Sequence, residues 1–152
     1  MRIGGLDVGD KTIGVALSDE LGWTAQGLEV IRRKGLANDM ARLREIAKQF
    51  GVEHWVVGLP RNMNGTDSPR TELTRTFVQQ LTEHVGLPVE TWDERMTTIM
   101  AERTLLEADM SRAKRKQVID KMAAAVILQG YLDAQAIRKA REARAGADQA
   151  GS

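Results

Sequence analysis

The first 33 residues restrict the architecture more than any other part of the chain. Residues 2–8, 12–18 and roughly 24–33 are three runs of strand length and strand composition, separated by only three and five residues. Connections that short join antiparallel neighbours, whereas a parallel pair needs a crossover of about a dozen residues or more. The chain therefore begins as an antiparallel meander. After residue 35 the periodicity changes. Met40, Leu43, Ile46, Ala47 and Phe50 recur at helical spacing, with Asn38 as the predicted N-cap and Gly51 where a C-terminal glycine belongs. His54 to Leu59 is an apolar run of strand length, followed by a polar loop, Arg61 to Asp67. Ser68-Pro69 opens a second helix, Ser as N-cap and Pro at its first position, with Leu73, Phe77, Leu81 and Val85 as its predicted buried stripe and Gly86 as its end. Residues 88–92 form a further strand that runs into Asp93-Glu94-Arg95. A helix over about 97–108, a basic connector, a long helix over about 114–143 and a frayed tail complete the chain. The order βββ-α-β-α-β-α-α predicts an α/β fold. Its five-stranded mixed sheet is antiparallel at first and parallel later, with helices on its faces.

A length of 152 residues suits one domain with its own core. The chain has no cysteine, which excludes disulfides and thiolate metal sites. No apolar run has the length of a membrane span, and no charged segment followed by an apolar core opens the chain, so a cytoplasmic protein without membrane contact is expected. The net charge of +1 conceals an asymmetry. Residues 111–144 carry nine basic and three acidic side chains, and the remainder thirteen basic and eighteen acidic. A basic C-terminal third beside an acidic body suits a polyanionic partner.

Carboxylates stand at three places where apolar residues are the norm. Asp7 lies between Leu6 and Val8 in the first strand, Asp93 and Glu94 close the last strand, and Asp120 precedes the apolar helical run Met122 to Leu128. A carboxylate in such a place needs a cation, a hydrogen-bond donor or solvent to offset its desolvation. With no cysteine and only His54 and His84, the available ligands are oxygens, which select Mg²⁺ or Mn²⁺ over Zn²⁺. Two such ions can activate water and stabilise the leaving oxygen in phosphodiester cleavage. Asn62, Asn64 and Thr66 can hydrogen-bond phosphate or bases, and Arg61 and Arg70 can pair with phosphate. Arg112, Lys114, Arg115 and Lys116 can hold a nucleic-acid backbone. Aromatic side chains are few, so backbone recognition is expected rather than base stacking.

Four blocks together carry a resemblance. They are Gly5-Leu6-Asp7-Val8-Gly9 with Lys11 and Ile13-Gly14-Val15-Ala16; Val57-Gly58-Leu59-Pro60 with Asn62-Met63 and Gly65-Thr66; Asp93-Glu94-Arg95 with Thr97-Thr98 and Ala101-Glu102; and Lys114-Arg115-Lys116 with Asp120 and Ala123-Ala124. In this order and spacing they resemble the YqgF (RuvX) family of Holliday-junction-resolvase-like nucleases linked to maturation of the small-subunit (16S) ribosomal RNA precursor. The resemblance implies an RNase H-like fold over residues 1–135, with 136–152 a basic helical extension and tail. It implies divalent metal held by Asp7, by one of Asp93 and Glu94, and by Asp120, with Lys11 and Arg95 among the nucleic-acid contacts. Period-two alternation sends Asp93 and Glu94 to opposite faces, so one faces the metal and the other solvent or Arg95. The implied partner is nucleic acid, either an RNA precursor within ribosomal precursor particles or linear or branched DNA, bound by a monomer or a homodimer. A four-way-junction resolvase would require a two-fold dimer. A non-catalytic RNA-binding module is a third reading. An actin-like nucleotide-binding protein, which shares the glycine-bearing first hairpin, is a fourth.

Overall fold

The computed structural model describes residues 2–96 and 112–150; of these, the side chains of residues 96, 112–121 and 147–150 are left out of the description. Five strands, β1 (Arg2–Val8), β2 (Thr12–Ser18), β3 (Ala25–Arg32), β4 (Val52–Leu59) and β5 (Val89–Asp93), form one sheet in the order β3-β2-β1-β4-β5. The meander β1-β2-β3 is antiparallel, and β4 and β5 join β1 in parallel through the crossover helices α1 (Leu36–Phe50) and α2 (Pro69–Val85). A 3₁₀ turn (Glu94–Met96) follows β5, and a helix here labelled α3 (Arg112–Ala150) closes the described chain. This is the predicted α/β architecture. The helix expected over 97–108 lies outside the described residues.

The strands alternate between two cores. Leu6, Ile13, Val15, Trp55 and Val57 face α1 and α2, where they meet Met40, Leu43, Ile46, Phe77 and Leu81. Ala16 and Val56 face the other way and meet Ala123, Ala124, Ile127 and Leu128 of α3. Both faces are covered, as parallel pairing at the sheet centre requires. Gly51 and Gly86 end α1 and α2 in the left-handed conformation, as expected, and Ser68 caps α2 through the Thr71 amide.

Three details depart from the prediction. Helix α1 starts at Leu36 with Gly35 as N-cap, and Asn38 lies inside its first turn. The anchor is instead Asp39, buried at 1% exposure, whose carboxylate accepts from the Lys34 amide at 3.2 Å and from Arg33 Nε at 3.3 Å. In α2 the buried side chains are Thr71, Thr74, Phe77 and Leu81, while Leu73 is 65% exposed. The two threonines can replace leucine there because each hydroxyl is satisfied, Thr71 by the Pro60 carbonyl and Thr74 by the Arg70 carbonyl. Finally, α3 continues to Ala150 instead of fraying after residue 143. Four of the eight residues from 143 to 150 are Ala, the strongest helix former.

Candidate functional site

The site is built on the α3 side of the sheet, at the carboxyl ends of β1, β4 and β5. In β1, Leu6 enters the core under α1 and α2, so Gly5 and Asp7 project toward α3. A Cβ on Gly5 would lie 2.7 Å from Leu128 Cβ and 3.1 Å from the Ala124 carbonyl, which shows how closely the helix approaches the strand. Asp7 is half-buried and pairs across β2 with Gly14. On its other side Leu6 pairs with Val57, so the next position of β4 is Gly58. The Asp7 carboxylate is therefore flanked on both sides by residues without side chains.

Gly58 in turn admits Glu94. Trp92 of β5 packs on the α3 side, Asp93 faces the opposite side, and Glu94 returns to the Trp92 side as the chain enters the 3₁₀ turn. Glu94 Oε1 lies 2.9 Å from the point a Cβ on Gly58 would occupy, and Ile127 Cδ1 reaches the same point. Adjacent strands are about 4.8 Å apart. Glu94 thus lies over β4, one strand away from Asp7, at the same end and on the same face of the sheet.

Asp93 is committed elsewhere. Its Oδ1 accepts from the Arg95 amide at 2.9 Å, and its carboxylate takes Arg95 Nε at 3.1 Å and Nη2 at 2.7 Å. Arg61 Nη1 lies 3.8 Å from Asp93 Oδ2. The Arg95 hydrogen bonds, followed by the nearby Arg61 charge, hold the Asp93 pKa below its usual value against the opposing effect of burial. Arg95 also donates to the Met63 carbonyl at 3.4 Å, so the Asp93–Arg95 pair pins the loop that follows β4. A depressed carboxylate pKa contributes stability above its unfolded value, near 4, that is lost as pH falls through the folded value. Asp93→Asn should accordingly unfold at lower urea concentration than wild type at pH 7. The difference should shrink as pH falls through the folded value of Asp93, below which both chains lack the charge.

The remaining predicted contacts divide into groups. Asn62, Asn64 and Thr66 bond to one another: Asn62 Nδ2 donates to Thr66 Oγ1 at 3.0 Å and Thr66 Oγ1 to Asn64 Oδ1 at 2.6 Å. Arg61 is drawn to Asp67 at 3.6 Å as well as to Asp93. Arg70 is half-exposed, 3.5 Å from Asp10, and Lys11 is exposed at the tip of the first hairpin. Arg112, Lys114, Arg115, Lys116 and Asp120 belong to α3, but their side chains lie outside the described ones, as do Thr97, Thr98, Ala101 and Glu102 altogether. Among the described residues no three of His, Cys, Asp and Glu form a metal-ligating group. No described helix is long and apolar enough to cross a membrane. Gly58 and Ile127 received no role from the sequence, although a glycine inside an apolar strand signals close approach of another group.

Residues 1–134, which contain all the residues just described around Asp7, Gly58 and Glu94, match the family model described as "RuvX: Holliday junction resolvase". The chain belongs to the RuvX family. A relative from Symbiobacterium thermophilum, named "Putative pre-16S rRNA nuclease", is 73% identical over 91% of this chain and 96% of its own length. One from Desulforamulus reducens with the same name is 62% identical over 90% of this chain and 99% of its own. Among solved structures, Thermus thermophilus RuvC in complex with Holliday junction substrate superposes with a TM-score of 0.54 over 89% of this chain and 96% of RuvC, at 16% identity. RuvC and this RuvX chain thus share the RNase H-like fold, and the family and its relatives point to a nuclease.

Proposed function

We propose that this RuvX chain hydrolyses phosphodiester bonds of the small-subunit ribosomal RNA precursor with the help of divalent metal held by Asp7, Glu94 and Asp120. The observation that carries the reading is the convergence of Asp7 and Glu94 on one face beside Gly14 and Gly58. The donor set is oxygen only and suits a hard cation such as Mg²⁺ or Mn²⁺. Gly58 gives the Glu94 carboxylate its place over β4, and Gly14 puts no side chain beside Asp7.

Helix register supports Asp120 as the third ligand. Leu132 shares a cleft with Ile3, whereas Leu128 and Ala124 cover Gly5, so α3 runs antiparallel to β1. Stepping from Gly5 to Asp7 advances about 6.6 Å along the strand, and stepping from 124 back to 120 advances about 6 Å along the helix. Position 120 therefore comes level with Asp7. Asp93, held by Arg95, is left out of the set and serves to fix the turn that aims Glu94.

When bound, the cation supplies Lewis acidity to the scissile phosphate and acidifies the attacking water. The protein fixes where that happens. Asp7 and Glu94 define the position of the positive charge, and without it their own charges repel a phosphate backbone. Lys114, Arg115 and Lys116, one to two turns before Asp120, hold the strand. A water oxygen bonds to phosphorus, the bond from phosphorus to a sugar oxygen breaks, and the proton leaves to that oxygen or to solvent.

The test compares a labelled 16S precursor fragment, a linear DNA duplex and a four-way junction, each with Mg²⁺, Mn²⁺ or chelator. Preferred, chelator-sensitive cutting of the RNA is expected. Preferred cutting of the junction by a dimer would establish the second reading, junction resolution, which the family description favours. Cutting that survives chelator would end the metal assignment.

A further inference from the structure

We infer that residues 136–146 of α3 form an arm that grips the phosphate backbone of the substrate's duplex flank, far from the cleavage end. The inference rests on the nuclease reading for its substrate but not for its geometry. Packing of α3 on the sheet involves Ala123 to Leu132, and from Ala136 to Gly146 every residue is exposed. A helical segment with no buried face gains nothing from packing and is marginal by itself in water. Over the same residues Arg138, Lys139, Arg141 and Arg144 accompany a single acid, Glu142, with Asp148 further on; Lys139 lines a cleft that also holds Glu20 and Glu53. Among the described residues none of the four forms an ion pair.

The chemistry selects the partner. Ile137 is the only large exposed apolar side chain in the arm, so it offers no apolar stripe to a membrane or a partner helix. Four exposed cations spaced along one helical segment suit a regularly spaced polyanion. The family match ends at residue 134, so the arm is an addition to the nuclease fold rather than a part of its core.

Direction determines which part of the substrate is gripped. Since α3 runs antiparallel to β1, the arm projects beyond the amino end of β1, away from Asp7. At about 1.5 Å per residue, Arg141 lies about 30 Å along the helix from position 120. With about 3.4 Å per base pair, a duplex must extend about nine base pairs from the cut before its backbone reaches the arm.

Fluorescence anisotropy in chelator, where no cutting is expected, tests the arm in the full chain. Wild type and R138A/K139A/R141A/R144A are compared on RNA duplexes of 30 and 6 base pairs over a range of salt, with circular dichroism to verify that the variant stays helical. On the long duplex the variant should bind at least tenfold more weakly, and the slope of log affinity against log salt should fall by about two to four. On the short duplex the two proteins should be equal. Equal affinity and slope on the long duplex would overturn the arm, as it would if an acidic protein were the true partner. Equal losses on both lengths would also overturn it, because they would place these cations at the cleavage end. Cleavage separates this inference from the nuclease reading: if the nuclease reading fails, wild type leaves the precursor uncut with Mg²⁺ and with Mn²⁺. The arm fails only through the binding comparison of the two duplexes.

Discussion

Asp7→Asn is expected to lower the rate of precursor cleavage by about 10³-fold, equivalent to about 4 kcal/mol of transition-state stabilisation. The substitution keeps the shape of the side chain and removes its charge, so the sheet around it has no steric reason to change. What is lost is one negative oxygen pair at the place where Glu94 supplies the other. Single-turnover cleavage measures the rate, and a thermal melt with and without Mn²⁺ gives an independent readout. Mn²⁺ should raise the melting temperature of wild type, by mass action on the folded state, and leave that of the variant unmoved. Glu94→Gln should behave in the same way. A variant at position 7 that cuts at the wild-type rate would remove Asp7 from the mechanism.

The second large effect is expected at Gly58. An added methyl meets Ile127 Cδ1 on one side and Glu94 Oε1 at 2.9 Å on the other. Ile127 does not yield without loss, because it is fully buried in the α3 core, and Glu94 would have to leave the position over β4 that the proposed mechanism gives it. Gly58→Ala should destabilise the protein by about 1–3 kcal/mol through overpacking. It should also slow cleavage by about 10- to 100-fold, which corresponds to a displacement of the Glu94 carboxylate worth about 1.4–2.8 kcal/mol. The double variant Gly58→Ala/Ile127→Val separates the two consequences. Valine lacks the δ carbon, so most of the stability should return. The contact with Glu94 persists, so the cleavage defect should remain. Recovery of both would show that Gly58 serves packing alone.

Much of this was legible before any tertiary structure. Connections of three and five residues force an antiparallel meander, because no crossover fits in them. The caps at Ser68, Gly51 and Gly86 mark helix ends by local hydrogen bonding and left-handed geometry, which depend only on neighbouring residues. Acids in strand and helix positions marked Asp7, Asp93, Glu94 and Asp120 as chemically unusual, for reasons of desolvation that hold in any fold. The errors fell where a specific side-chain contact overrides spacing and residue type. Leu73 has the right spacing for a core residue, yet Thr71 and Thr74 take its place because the Pro60 and Arg70 carbonyls satisfy their hydroxyls. Asn38 is a good N-cap by type, yet Gly35 starts the helix because Asp39 is drawn inward to Arg33 and the Lys34 amide.

The same division runs through the site. Sequence alone determined the order of strands and helices, the absence of cysteine ligands and the family. It left open which of Asp93 and Glu94 faces α3, since alternation says only that they differ. The tertiary structure decided that point: Arg95, with Arg61 from the loop after β4, holds Asp93 on one face, and the missing side chain of Gly58 gives Glu94 its place one strand from Asp7 on the other. Local propensity arises from a residue and its neighbours, whereas the direction of a carboxylate is set by groups that meet only after the strands have paired.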